Sequence, residues 1–341
     1  MGTRHSLPGG TRPLVSVITI FRNANERFFA EAIDSVFAQT CDRWELLLVD
    51  DGSRDGSSAF ARGYTRRHPD RIRYLEHADH AHRGMSASRQ LGIEMARGEF
   101  VAFLDADDVY LPEKLERQLA HLEAHPTAAM VFGPTLHWHG WTGRPEDAAR
   151  DVMNRLGADP ETLVSPPQLV RSFLNRTADT PATCGVLIRR AAIDAVGGFD
   201  PHFVDLFEDQ AFFYRLCLRF PIYAEAHHWD LYRRHPDSIC AAAIRAGLTA
   251  DDYRPTPARG NFLRWVEAEF QRCGVRDPEL HRLLRAELWP YRHPLLHRAL
   301  DAARRSRRCV GRSPFGRAVW RVLRALRHRD RGTKLVIGQP R

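Results

Sequence analysis

Residues 14–21 read LVSVITIF, a short apolar run rich in β-branched side chains that predicts a buried strand. The period then changes. Phe28, Phe29, Ala32, Ile33, Val36 and Phe37 recur at helical spacing, with Asn25 placed to cap the start. A second strand over 44–49 (WELLLV) ends in Asp50-Asp51-Gly52-Ser53. A helix over 55–67, a strand over 71–75, a helix over 84–97 and a strand over 99–104 follow, and Pro112 opens a helix running to about His125. Strands alternating with helices at this spacing predict βαβ units and a mainly parallel sheet covered on both faces. From about Gly140 to Thr183 the pattern loosens into polar sequence with short helical pieces. A strand over 184–189, a Gly197-Gly198 turn and a helix beginning at Glu208-Asp209 come next, and 222–235 carries mixed strand signals. After residue 240 the chain reads as helices separated by Pro and Gly, with a short LVI near its end. No internal repeat is visible. The expected division is a flexible 1–12, an α/β body over 13–239 and a mainly helical 240–341.

Length and composition narrow the class. The chain has 341 residues with a hydrophobic share of 43%, enough for a large domain plus a smaller one and too apolar for disorder. No stretch approaches the ~18 apolar residues of a membrane-spanning helix, and Leu14–Phe21 is followed by no small-residue cleavage site. A cytoplasmic protein, at most peripheral on the inner face of a membrane, is expected. Six scattered cysteines without a CxxC pair disfavour a zinc ribbon or a disulfide framework. The formal charge of +8 is unevenly placed: residues 1–239 carry −6 and residues 240–341 carry +14. A basic tail on an acidic body points to a separate role for the tail.

In parallel α/β sheets, ligands sit beyond the carboxyl ends of the strands, and two acidic clusters fall there. Asp105, Asp107 and Asp108 crowd three carboxylates into four residues. A divalent cation, Mn²⁺ or Mg²⁺, would offset their repulsion and bind a diphosphate at the same time. The plainer alternative is a solvated turn in which Asp108 caps the next helix. In LLLVDDGSRDGS, Asp51 and Ser53 can accept or donate hydrogen bonds to a nucleobase or ribose, and Gly52 lets the backbone approach closely. An ordinary Asp-Gly turn is the alternative. Neither GxGxxG after the first strand nor GxxxxGK[ST] occurs, which disfavours a dinucleotide site and a P-loop.

VSVITIFRNANERFFAEAIDSVFAQTCDRWELLLVDDGSRDGS, followed by HRGMSASRQLGIEMARGEFVAFLDADDVYLPEKL, resembles the family 2 glycosyltransferases. LIRRAAIDAVGGFDPHF, Glu208-Asp209 and YRRHPDSI are similar to the acceptor half of the same family, so the resemblance spans roughly 13–240. It implies a GT-A fold, a nucleotide-binding αβα sandwich, and inverting transfer of a sugar from a nucleotide-sugar donor, UDP-linked by default, to an acceptor hydroxyl. It assigns Asp51, with Ile20 to Arg22, to base and ribose, and Arg83 to the diphosphate. Asp105 and Asp107 become the DxD pair, Asp107 as direct metal ligand and Asp105 nearer the ribose or a metal-bound water. Asp209, beside Glu208, aligns with the catalytic base, and His235 with a further metal or phosphate contact. Gln90 departs from the asparagine common after Ala-Arg.

Two aromatic-basic segments add expectations. In His137-Trp138-His139-Gly140-Trp141, Trp138 or Trp141 is placed to wall an acceptor site, a buried structural cluster being the alternative; His227-His228 reads as structural. Phe315, Val319, Val322, Leu323 and Leu326 share a helical face ringed by arginines, a pattern suited to an anionic membrane surface through 304–329 or to packing on protein. No nucleic-acid module is visible. A sugar nucleotidyltransferase, which would show a Gly-rich basic loop where FRNANERF stands, and a non-catalytic nucleotide-sugar or glycan-binding module are the rivals. The acceptor's nature, as glycan, lipid-linked intermediate or small molecule, and the oligomeric state are left open by the sequence.

Overall fold

The computed structural model describes residues 13–250 and 254–309, with side chains through 302. Leu14-to-Phe21 becomes strand β1 (Val15–Phe21), buried at every position. Helix α1 (Glu26–Phe37) starts where the Asn25 side chain accepts the backbone N–H groups of Arg27 and Phe28. It leads to β2 (Trp44–Asp50), likewise buried throughout. Then come α2 (Ser57–Arg67), β3 (Ile72–Glu76), α3 (Met85–Met95), β4 (Phe100–Phe103), the short β5 (Val109–Tyr110) and α4 (Lys114–Ala124). Apart from β5, which the pattern does not announce, each lies within about two residues of the boundaries the periodicity predicts.

β1 pairs in parallel with β2 on one side and β4 on the other, and β3 extends the parallel half from β2. Two-sided burial explains why β1, β2 and β4 read as largely apolar runs, whereas β3 at the sheet edge is buried only at Ile72. Val15, Val17 and Phe21 pack with Phe29, Ile33, Val36 and Leu115 from α1 and α4. The alternate face meets α3, whose Gly92 lies so close to Ile18 that a Cβ there would fall 2.5 Å from its Cγ2. Burying each large apolar side chain contributes ~1.5–3 kcal/mol, so this two-faced core fixes the carboxyl edge from which β1, β2 and β4 run into their turns.

The second half is more mixed. β6 (Met130–Phe132), β7 (Leu136–Trp138), α5 (Pro145–Ala148), β8 (Val152–Met153), β9 (Thr162–Val164) and α6 (Gln168–Leu174) precede β10 (Val186–Arg189), α7 (Arg190–Val196), α8 (Glu208–Arg219), β11 (Ile222–Ala224), β12 (Asp230–Arg233) and α9 (Ile239–Arg245). The main sheet runs β3-β2-β1-β4-β10-β6-β11-β9, and β5-β12-β7-β8 form a smaller one. β10 is antiparallel to both of its neighbours, whereas β11 lies parallel to β6. The loosened 140–183 stretch thus supplies two short strands that its composition does not announce.

By compactness the chain divides into Met1–Ala242 and Ala243–Arg341. In the second unit, α10 (Pro257–Arg272) and α11 (Pro278–Arg292) begin at the Pro-after-cap signals Thr256-Pro257 and Asp277-Pro278, and α12 (Pro294–Cys309) starts at Pro294, directly after the C-cap His293 of α11. Phe262, Val266, Phe270, Leu280, Leu284 and Leu288 bury its apolar face. Among the described residues no helix is long and apolar enough to cross a membrane. Residues 1–12, the 310–329 part of the basic amphipathic pattern and the LVI segment lie outside the described residues.

Candidate active site

The turn after β2 is built around Asp51. One of its oxygens accepts the Arg83 backbone N–H at 2.7 Å, the other pairs with His82 Nδ1 at 2.7 Å, and the Gly84 N–H lies 3.1 Å from both. Asp51 therefore shapes the loop that carries Arg83, whose side chain is exposed, as is that of Arg22 just beyond β1. Gly52, at φ +77, is required here: a Cβ would sit 2.8 Å from His82 N and 2.9 Å from His80 O. Ile20 is almost covered, and Ser53 is buried with its hydroxyl accepting the Asn23 N–H at 3.0 Å. Ser53 thus ties the β1 and β2 turns together.

The turn after β4 divides its carboxylates among three jobs. Asp105 Oδ1 accepts Arg89 Nη2 at 2.8 Å and Oδ2 accepts the Thr183 hydroxyl at 3.2 Å. Asp107 Oδ2 lies 2.9 Å from His235 Nε2, joining residues 128 positions apart. Asp108 is the inward-facing one of the three. It is fully buried and accepts the Arg233 backbone N–H at 2.8 Å, and burial, then Asp107 and Asp105, push its carboxyl well up. Apolar surroundings with two neighbouring carboxylates disfavour its charge.

Arg233, which the pattern does not single out, sits behind Asp107. Its Nε donates to the Asp107 carbonyl at 2.7 Å and its Nη2 to Glu31 at 2.6 Å. The guanidinium lies 4.2 Å from the Phe28 ring centroid, 4.6 Å from Trp138 and 5.6 Å from Trp141. Trp138 and Trp141, read from the sequence as an acceptor wall or a structural cluster, form a cage around this buried cation, and Trp141 Nε1 also donates to the Arg234 carbonyl at 3.0 Å. Arg233 takes their faces because a desolvated guanidinium gains more from an aromatic surface than an exposed one does.

Glu208 and Asp209 open α8, where acidic side chains favour the helix dipole. Phe207 precedes them at φ +67, a left-handed conformation costing a non-glycine residue ~1–2 kcal/mol. Glu208 is buried and holds Arg89 Nη1 at 2.6 Å. Asp209 is half-buried. Burial first, then the Glu208 charge, raise its carboxyl to about 7, against the lowering pull of Arg89. Arg89 is the second residue missed by the pattern. It is 3% exposed, spans Asp105 and Glu208, and those carboxylates hold its guanidinium firmly protonated. Its only sequence signal is its place in ASRQ, within the quoted family string. The structure thus brings Asp105, Arg89, Glu208 and Asp209 into one cluster, Asp107, His235 and Arg233 into a second, and Asp51 with Arg83 into a third.

Acidic turns at the carboxyl edge of a parallel half-sheet define an α/β protein of the GT-A type, and the comparisons agree. The model of glycosyl transferase family 2 matches residues 16–197, just over half of the sequence, and the chain belongs to that family. EpsE of Bacillus subtilis (strain 168), named as a glycosyltransferase, is 38% identical over 113 residues, 33% of this chain and 40% of that protein. TuaG of the same organism, named as a teichuronic acid biosynthesis glycosyltransferase, is 36% identical over 127 residues, 37% of this chain and 48% of its own. These matches span less than half the length of either relative. Among solved structures, S. aureus TarS 1-349 in complex with UDP-GlcNAc superposes with a TM-score of 0.60 at 17% identity, covering 93% of this chain and 81% of that one. Mannosyltransferase PcManGT from Pyrobaculum calidifontis, in complex with GDP-Man and Mn2+, gives 0.57 at 20% identity with the same coverage. At such identities the likeness is one of fold.

Proposed function

We propose that this protein is an inverting glycosyltransferase that moves a sugar from a nucleotide-diphosphate sugar to an acceptor hydroxyl. One observation carries the reading: Asp209, half-buried with its carboxyl raised to about 7, is tied through Glu208 and the buried Arg89 to Asp105 in the turn after β4. A carboxylate whose pKa lies near the working pH suits a general base. Asp209 takes the proton of the acceptor hydroxyl as that oxygen bonds to the anomeric carbon. The bond from that carbon to the diphosphate oxygen breaks, and the nucleoside diphosphate leaves with the electron pair. With one base and no enzyme nucleophile, a single displacement inverts the anomeric centre, through the oxocarbenium-like state common to glycosyl transfer.

Asp51, Ile20, Arg22 and Ser53 would line the nucleoside side, and Arg83 the diphosphate. Asp107 and His235 would hold a divalent cation, with Asp105 close by. Two protein donors suit a hard ion that completes its shell with diphosphate oxygens and water, and among the described residues no group of three or more His, Cys, Asp or Glu is placed to cage one. A carboxylate with an imidazole favours Mn²⁺ over Mg²⁺. When bound, the ion supplies positive charge against the departing diphosphate. UDP is the default nucleotide; the solved neighbours are complexes with UDP-GlcNAc and with GDP-Man and Mn2+. The acceptor would be a glycan, a lipid-linked intermediate or a small-molecule hydroxyl.

Calorimetric titration with UDP, GDP, CDP and dTDP, each with and without Mn²⁺, tests the donor site. Binding of one nucleotide only with Mn²⁺, lost in Asp107→Ala, is expected. Binding of none would overturn the transferase reading. Tight binding that ignores both Mn²⁺ and Asp107 would move the metal elsewhere.

A further inference from the structure

Helix α3 faces the segment that delivers Asp209 with four successive contacts. The Met85 N–H donates to the Val204 carbonyl at 2.9 Å, and the Ser86 hydroxyl donates to the Phe203 carbonyl. Arg89 Nη1 meets Glu208 at 2.6 Å, and Gln90 Oε1 accepts the Phe199 N–H at 3.3 Å. Residues 85, 86, 89 and 90 share one helical face. The amino end of the same helix is held by Asp51, which accepts the Gly84 N–H, and Arg89 Nη2 reaches across to Asp105. One rigid element therefore touches both strand-end turns and four points, Phe199, Phe203, Val204 and Glu208, of the run that leads to Asp209.

We propose that Arg89 is the positioning residue of the reaction: by bridging Asp105 and Glu208 it sets where the neighbouring Asp209 stands relative to the donor. This rests on the reading of Asp209 as the base. The guanidinium is committed to that bridge. Its Nη1 and Nη2 go one to each carboxylate, and its Nε is buried without a hydrogen-bond partner. A planar fork can hold two carboxylates at a fixed separation, whereas a lysine ammonium acts as a single point charge on a flexible stem. The strained Phe207 makes such a tether necessary: the left-handed residue one step before Glu208 would relax if α8 were free to turn. Gln90, the departure from the family's usual asparagine, belongs to the same seam. A Cβ on Gly198 would fall 2.1 Å from its amide oxygen, so the Gly197-Gly198 turn is fitted to the longer side chain.

The test uses the full chain and compares Arg89→Lys, Glu208→Gln and the double variant. Turnover is read as nucleoside-diphosphate release from UDP-GlcNAc and from GDP-mannose with Mn²⁺ over a panel of sugar acceptors. Affinity is read by calorimetry with UDP and GDP plus Mn²⁺, and folding by thermal unfolding. Arg89→Lys is expected to lower kcat about 100-fold, the scale of a ~1 Å misplacement, while nucleotide affinity changes less than about threefold. Glu208→Gln should show the same split, and the double variant should lose no more than the worse single one, because both cut one bridge. Parallel losses in kcat and affinity would place Arg89 in the donor site instead and overturn the proposal, as would additive losses or unchanged turnover. If Arg89→Lys does not fold, Glu208→Gln decides alone by the same criterion. The base reading fails separately, if Asp209→Asn turns over normally. An inactive Asp209→Asn beside a fully active Arg89→Lys sinks the positioning role only.

Discussion

Asp209 sits where two demands oppose each other. Burial and Glu208 lift its carboxyl to about 7, which poises it as a proton acceptor but makes ionising it costly to the fold. The native state then holds a proton that the unfolded chain releases near pH 4. Stability contributed at this position is therefore lost as pH rises from about 4 toward 7. Asp209→Asn removes a group that must ionise, so thermal unfolding should show the variant gaining on the wild type at pH 8 and not at pH 4. The same substitution should cut turnover by at least ~100-fold with donor binding preserved; near-normal turnover would show the base to lie elsewhere. In the wild type, kcat/KM should climb with pH through about 7, and a flat profile from pH 5 to 8 would contradict a base of this acidity. Each acidic position expected to matter stands on an acidic turn or a helix start, and the pattern exposes those. Arg89 and Arg233 were not legible, because a buried arginine declares itself only through partners 16 to 202 residues away in sequence.

The turns between elements carry strain that their strands and helices hold in place. Gly52, after β2, occupies φ +77 with backbone atoms of residues 80–82 within 3.0 Å of where a Cβ would be. Gly52→Ala meets both the left-handed penalty and a backbone collision, which no side-chain rotation relieves. A loss on the order of 1–3 kcal/mol is expected. It should appear as a lowered denaturation midpoint with weakened nucleotide binding, since the displaced loop is the one Asp51 ties to Arg83. Gly56, with nothing near its missing Cβ and no positive φ, is the control: Gly56→Ala should leave both quantities close to wild type. The centre of the parallel half, β1, β2 and β4, was readable because burial on both faces writes a largely apolar run. β8 and β9 were not, since two or three residues with largely exposed side chains leave no period to detect. Trp138 and Trp141 stayed open between an acceptor wall and a structural cluster for a related reason: the pattern of an aromatic residue is the same whether it faces a sugar or an arginine.

At the scale of the molecule, a ligand that binds only the folded state stabilises it by mass action, by ~2.7 kcal/mol at a hundredfold excess over Kd. The acidic turns that would hold nucleotide and cation all lie within Met1–Ala242, a unit with its own core. Of the paired residues after β4, only Asp107 has an imidazole at 2.9 Å, while Asp105 is already answered by Arg89 and Thr183. That asymmetry makes cation and nucleotide interdependent. Without the ion, the diphosphate would add two or more negative charges beside Asp105 and Asp107. Without the diphosphate, two protein donors fill too little of an octahedral shell to hold the ion well. Mn²⁺ alone and the nucleotide alone should each leave the unfolding temperature nearly unchanged, and the two together should raise it by several degrees. Chelation with EDTA should reverse the rise completely. Asp107→Ala should abolish it, whereas Asp108→Asn, which keeps a buried acceptor for the Arg233 N–H, should retain it. A full shift with nucleotide in EDTA would mean that the carboxylates after β4 hold the donor by hydrogen bonds alone.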